Sequence, residues 1–166
     1  MKRYAKQHIS RLWIVALLAL VGLLTASDKA FSSDQIEAPA KRLGDRYGGG
    51  IVFYVDATGQ HGLIAAPGDF KDKMSWDKAL TECKMLEYEG YRDWRLPSIT
   101  ELNKLFLAKS TVGGFADSDD YYWSSSVEKS VNKGEIVWYQ DFGDGTQSYS
   151  DRGKAENNRV RAVRAF

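Results

Sequence analysis

Residues 90–102 read Gly-Tyr-Arg-Asp-Trp-Arg-Leu-Pro-Ser-Ile-Thr-Glu-Leu, and the end of that stretch sets one boundary of the fold. Ser98-Ile99-Thr100-Glu101 has capping-box spacing: the serine hydroxyl accepts from the amide three residues on, and the glutamate reaches back to the cap amide. A helix is therefore predicted to start at Ser98 and to run through Leu102, Leu105 and Phe106. Upstream, Trp76, Ala79, Leu80 and Cys83 recur at helical spacing and Leu86 adds a turn, which predicts an earlier helix with one buried face. Before it, Gly48, Gly49 and Gly50 lead into the run IVFYVD (51–56). Residues 57–60 supply turn residues and GLIAA (62–66) is a second apolar run, the pattern of a hairpin. Downstream, 121–127, 135–142, 147–150 and 159–166 are strand-like, separated by Gly, Asn, Asp and Lys clusters. Helices precede most of the strands, so the fold class is α+β with an antiparallel sheet, not alternating βαβ units.

The N-terminus carries a different signal. Lys2, Arg3, Lys6 and Arg11 precede the uncharged run LWIVALLALVGLL (12–24), and Thr25, Ala26 and Ser27 follow, the three parts of a signal peptide. The apolar run is shorter than the about 20 residues a membrane-spanning helix needs, and no cysteine follows it for lipid attachment. The expected organisation is a signal peptide at 1–27, a flexible linker at 28–44 and one globular domain at 45–166. The expected location is periplasmic or extracellular, free of the membrane once the leader is cleaved. Residues 1–27 hold four of the 23 basic and none of the 22 acidic residues, leaving 19 against 22 and a net charge near −3. That balance argues against nucleic-acid binding. A local excess persists at the C-terminus in Arg152, Lys154, Arg159, Arg161 and Arg164. The single cysteine, Cys83, cannot form an intramolecular disulfide, so stability must come from a core rich in the five Trp, nine Tyr and seven Phe.

The segments GGGIVFYVD, HGLIAAP, GYRDWRLPSITEL, YYWSSS and RVRAVRAF together carry a family resemblance across residues 47–166. The chain resembles the C-terminal domain of Legionella collagen-like adhesins, the Lcl C-terminal domain. The resemblance implies a C-type-lectin-like fold in which two helices flank a twisted antiparallel sheet, the first and last strands pair, and long loops form a variable binding surface. Calcium-dependent lectins use Glu-Pro-Asn or Gln-Pro-Asp and Trp-Asn-Asp triplets that this chain lacks. Formylglycine-generating enzymes of related fold need a cysteine pair, and Cys83 stands alone.

Residue chemistry narrows the function. Trp94, Trp123 and Trp138 lie in strand-like or motif segments where large aromatics serve as core, although an exposed ring of this kind stacks on sugars. Arg95 is expected to pair internally, with Asp93 or another acid. Arg161 and Arg164, read as one strand, face opposite sides and cannot share a site. Ser124–Ser126 have no histidine base, since His8 belongs to the leader and His61 to a turn, so a hydrolytic triad is excluded. Asp141-Phe142-Gly143-Asp144-Gly145 supplies too few oxygens for calcium and reads as a solvated turn. No cofactor is expected. The expected role is a non-catalytic binding module for a glycan or a surface protein, using loops at 107–120, 128–135 and 141–152, with contacts at Tyr139, Asp141, Asp144 and Arg152. The alternative is an enzyme or enzyme accessory using Asp141, Asp144 and Glu156 as its acid/base set.

Overall fold

The computed structural model describes residues 40–116, 120–152 and 156–166; the expected leader and most of the expected linker lie outside them. One antiparallel sheet contains β1 (Arg46–Tyr47), β2 (Gly50–Val55), β3 (Gly62–Ala65) and β7 (Val163–Ala165), in the order β1-β2-β3-β7. A second contains β4 (Tyr121–Ser130), β5 (Gly134–Asp141) and β6 (Gln147–Asp151), in that order. Three helices lie between the sheets in sequence: α1 (Trp76–Met85), α2 (Ile99–Leu107) and the short α3 (Lys109–Val112). The class is α+β, as expected.

The details differ from expectation. There are two sheets in place of one sheet with two flanking helices, and the last strand pairs with β3, not with the first strand. The reason lies in the hairpin. Asp56 Oδ1 accepts from the Thr58 and His61 amides and turns the chain back after β2, so β3 presents a free edge, which β7 fills through Leu63↔Ala165 and Ala65↔Val163. The two-residue β1 is folded onto the opposite side of β2. Only Val163–Ala165 of the expected 159–166 strand is a strand. The preceding residues tie the sheets together: Asn158 exchanges backbone hydrogen bonds with Met74, Arg159 with Tyr121 and Trp123, and the Val160 and Ala162 carbonyls accept from Phe70 and Ala66.

Both predicted helices form where their patterns place them. Ser98 Oγ accepts from the Glu101 amide at 3.3 Å and Glu101 Oε2 accepts from the Ser98 amide at 2.9 Å, completing the capping box. Leu102 and Leu105 then pack against Ile51, Phe53, Tyr122 and Phe142. On α1, Trp76, Ala79 and Cys83 are buried against Trp94, Trp123, Val52 and Ile64. Burial, with Glu82 nearby, pushes the Cys83 thiol up to about 12, which suits a structural residue and not a nucleophile. Trp94 and Trp123 are core residues, and the Trp123 and Trp76 indole N–H groups donate to the Met74 and Ser124 carbonyls, each at 2.7 Å. Trp138 is only half-buried, with Tyr149 edge-on to it.

Arg95 pairs with Glu101, not with Asp93, through two hydrogen bonds of 2.7 and 2.6 Å. Burial opposes ionisation of Glu101, but the bonds from Arg95 and Ser98 outweigh it and hold the carboxyl below its ordinary 4.5. A folded value below the unfolded one gives stability that is present above about pH 4.5 and lost as pH falls through the lower folded value. Glu101→Gln should lower stability at neutral pH and flatten its acid-side decline, as measured by denaturant unfolding across the range.

Candidate functional site

The four residues expected to contact ligand do not converge. Tyr139, on β5, is half-buried, and meets Tyr121 and Trp123 edge-on at 5.2 and 5.8 Å. Asp141 ends that strand and accepts from the Gly143 amide at 2.6 Å; Asp144 accepts from the Thr146 amide at 2.8 Å. These carboxylates shape the turn, and the Thr146 amide and then its hydroxyl hold the Asp144 carboxyl below the ordinary range. Arg152 lies at the other end of the ladder, where its guanidinium pairs with Glu135 and Asp77 and sits 5.0 Å from the Trp76 ring centroid. Glu135 and Asp141 are six residues apart on one strand, about 20 Å at strand rise. Within the expected loops at 128–135 and 141–152, residues 128–130, 134–135, 141 and 147–151 are strand. A cavity of about 350 Å³ touches the turn at Phe142 and Gly143, but the Lys109 ammonium is already bonded to both carbonyls. Among the described residues no group of three His, Cys, Asp or Glu side chains is placed to hold a metal.

A better-formed site lies on the opposite strand system, between two tight turns. The first, Tyr47-Gly48-Gly49-Gly50, joins β1 to β2 with φ of 57° at Gly48 and 82° at Gly49. The second, Tyr88-Glu89-Gly90-Tyr91, closes through reciprocal backbone bonds between the tyrosines at 3.1 and 3.0 Å, with φ of 48° at Glu89 and 81° at Gly90. Positive φ at both central residues is the requirement of a type I′ turn. In the first turn glycine is also needed for room, since a Cβ on Gly49 would lie 3.0 Å from Tyr91 and 3.3 Å from Trp94. Glu89 has no such licence: it is the one described non-glycine residue at positive φ, in a region that costs an L-residue about 1–2 kcal/mol.

These turns, with Arg46 and Pro67, line a cavity of about 310 Å³. Tyr47, Tyr88 and Tyr91 rim it with 42%, 40% and 37% of their surface exposed. A second cavity of about 230 Å³ also has Pro67 and Tyr88 in its wall, together with Asp69, Phe70 and Leu86. Arg164 braces the tyrosine-rimmed cavity. It donates to both Asp93 oxygens at 2.8 and 3.1 Å and to the Gly48 carbonyl at 3.0 Å, and lies 4.0 Å from the Tyr91 ring centroid. The same contact holds the Asp93 carboxyl below its ordinary range. Tyr47 is positioned by Phe166 edge-on at 5.4 Å and by the Lys41 ammonium at 4.2 Å. Chemically, the groove offers aromatic faces, phenol hydroxyls, one guanidinium and one carboxylate. Residue reading missed Tyr47, Tyr88, Glu89 and Tyr91, although a tyrosine pair around Glu-Gly was a usable turn signal.

The fold and groove define a small α+β domain whose closing strand returns beside a tyrosine-rimmed cleft. Residues 56–164 match the model of the Lcl C-terminal domain, and the chain belongs to that family. Tyr88, Glu89 and Tyr91 fall within the match and Tyr47 precedes it. No curated protein matches the chain significantly.

Because asparagine is favoured in type I′ turns, Glu89→Asn should stabilise the domain by about 1 kcal/mol, read from the denaturant midpoint. A loss of stability would mean that the glutamate side chain carries a structural contact.

Proposed function

We propose that this protein is an exported, non-catalytic binding module that recognises a glycan in the tyrosine-rimmed groove. The observation that carries this reading is the convergence of three half-exposed tyrosines on one concavity that Arg46 and Glu89 also line. Scattered exposed aromatics need no explanation, but a concave cluster suits an amphipathic ligand that stacks on rings and bonds to their hydroxyls. A pyranose has that character, with an apolar C–H face and a hydroxylated edge.

Export rests on the basic leader and apolar run at 1–27, which argue for a periplasmic or cell-surface location. A C-type-lectin-like arrangement is part of the proposal. In its support, the closing strand β7 returns to the hairpin near the start of the domain and the helices lie between the two sheets in sequence. The enzyme alternative is weakened because the Asp141 and Asp144 oxygens already accept from the amides of their own turn.

A glycan array probed with the purified protein, followed by titration of the best binder, tests the reading. Tyr47→Ala and Tyr91→Ala should each weaken binding at least tenfold, about 1.4 kcal/mol, while Tyr139→Ala and Arg152→Ala leave it unchanged. The reverse pattern would move the site to the β5–β6 surface, and binding of a surface protein without any glycan would refute the ligand class.

A further inference from the structure

Resting on that glycan reading, we propose that Glu89 sets which sugar the tyrosine-rimmed cavity accepts: its carboxylate takes two vicinal free hydroxyls of the bound ring. The first ground is a backbone cost that nothing within the fold offsets. The Tyr88–Tyr91 turn closes through the tyrosines' own amides and carbonyls, at 3.1 and 3.0 Å, so the side chain at position 89 has no part in its closure. With φ of 48°, that position favours glycine or asparagine. Among the described residues the Glu89 side chain takes part in no hydrogen bond or ion pair. The cations around it are engaged elsewhere: Arg92 is bonded to Glu87 at 2.9 Å, and Arg164 to Asp93. A strained residue with no structural partner marks a place where the side chain acts on something outside the fold.

The second ground is chemical. Glu89 lines the cavity together with Tyr47, Tyr88 and Tyr91. A pyranose laid on a tyrosine face keeps its hydroxyls at the ring edge, where a carboxylate between two rings meets them. An ionised carboxylate has two oxygens and only accepts, and its bonds are short and about twice as strong as neutral ones. Two adjacent hydroxyls can each donate to one oxygen. A sugar whose hydroxyl is missing, methylated or acetylated at either position cannot, and an ether or ester oxygen there meets the carboxylate acceptor to acceptor. The tyrosine hydroxyls do not make this distinction, because each donates and accepts. Arg46 lines the same cavity, is also without a hydrogen-bond or ion-pair partner among the described residues, and donates only, which suits the acceptor oxygens of the same ligand.

The test is an NMR and calorimetric titration of the full protein with the methyl glycosides of glucose, galactose, mannose and N-acetylglucosamine, with the glycans bound on the array, and with monodeoxy and mono-O-methyl forms of these. Glu89→Gly should leave the denaturant midpoint unchanged or raise it, and should weaken binding about tenfold. Glu89→Gln, which keeps the length but replaces one acceptor by a donor, should weaken it about threefold. Removing or methylating one of the two hydroxyls should cost the parent protein about tenfold and Glu89→Gly less than about twofold, since the partner group is already gone. Equal cost in parent and variant would overturn the inference and leave the glycan reading standing. Unchanged affinity of Glu89→Gly, while Tyr47→Ala and Tyr91→Ala weaken binding, would do the same. A clear fall in the Glu89→Gly midpoint would also overturn it, by showing that the glutamate serves the fold. If no glycan shifts the Tyr47 or Tyr91 signals, the glycan reading and this inference fall together.

Discussion

The guanidinium of Arg164 is the contact on which the groove depends. It joins three segments remote in sequence: the closing strand that carries it, the Asp93 carboxylate beside buried Trp94, and the Gly48 carbonyl at the β1–β2 turn. Its Cζ lies over the Tyr91 ring, 4.0 Å from the centroid. A forked donor set with a flat aromatic contact is a role for which lysine is a poor substitute. Asp93 is more than half exposed, so the ion pair itself contributes little to folding. Its consequence is positional: it adds a polar tie between two turns that otherwise meet by the packing of Gly49 against Tyr91.

The same closing segment braces the wall of the second cavity by another arginine. Arg161 is buried, bonded to Asp69 at 2.6 Å and to the Ala66, Gly113 and Gly114 carbonyls. Tyr122 donates its hydroxyl to the same aspartate, and burial and then that carboxylate raise its pKa. A buried charge with this many partners is tolerated because its donors are satisfied, and removing any one partner would leave the rest desolvated. Arg161 and Arg164 do take different partners, but not as opposite faces of one strand, since Arg161 lies outside β7. Arg164 borders the tyrosine-rimmed cavity and Arg161 the second one.

What was legible in the sequence follows the range of the interactions involved. The capping box at Ser98 and Glu101 and the α1 stripe through Trp76, Ala79 and Cys83 are set by neighbours one turn away, so residue spacing revealed them. The hairpin at 51–66 was readable for the same reason. Division into two sheets was not, because it depends on β7 reaching β3 and on residues 158–162 bonding to both halves. The expected site at Tyr139, Asp141, Asp144 and Arg152 gathered residues that are near in sequence, whereas the ladder sets Arg152 at the far end of β5 from Asp141. The Tyr47–Gly50 turn meets Tyr91 through Gly49 and through Arg164, a convergence no local pattern records. Strain at Glu89 is a property of φ and is visible only in coordinates.

Hydrogen exchange of Arg164→Lys against the parent protein tests the central claim that one guanidinium organises both turns. Exchange should be faster, in concert, at the amides of residues 47–50 and 88–91, with protection of the β4–β5 ladder unchanged. Unchanged protection at those two turns, or a uniform loss across the whole domain, would contradict it.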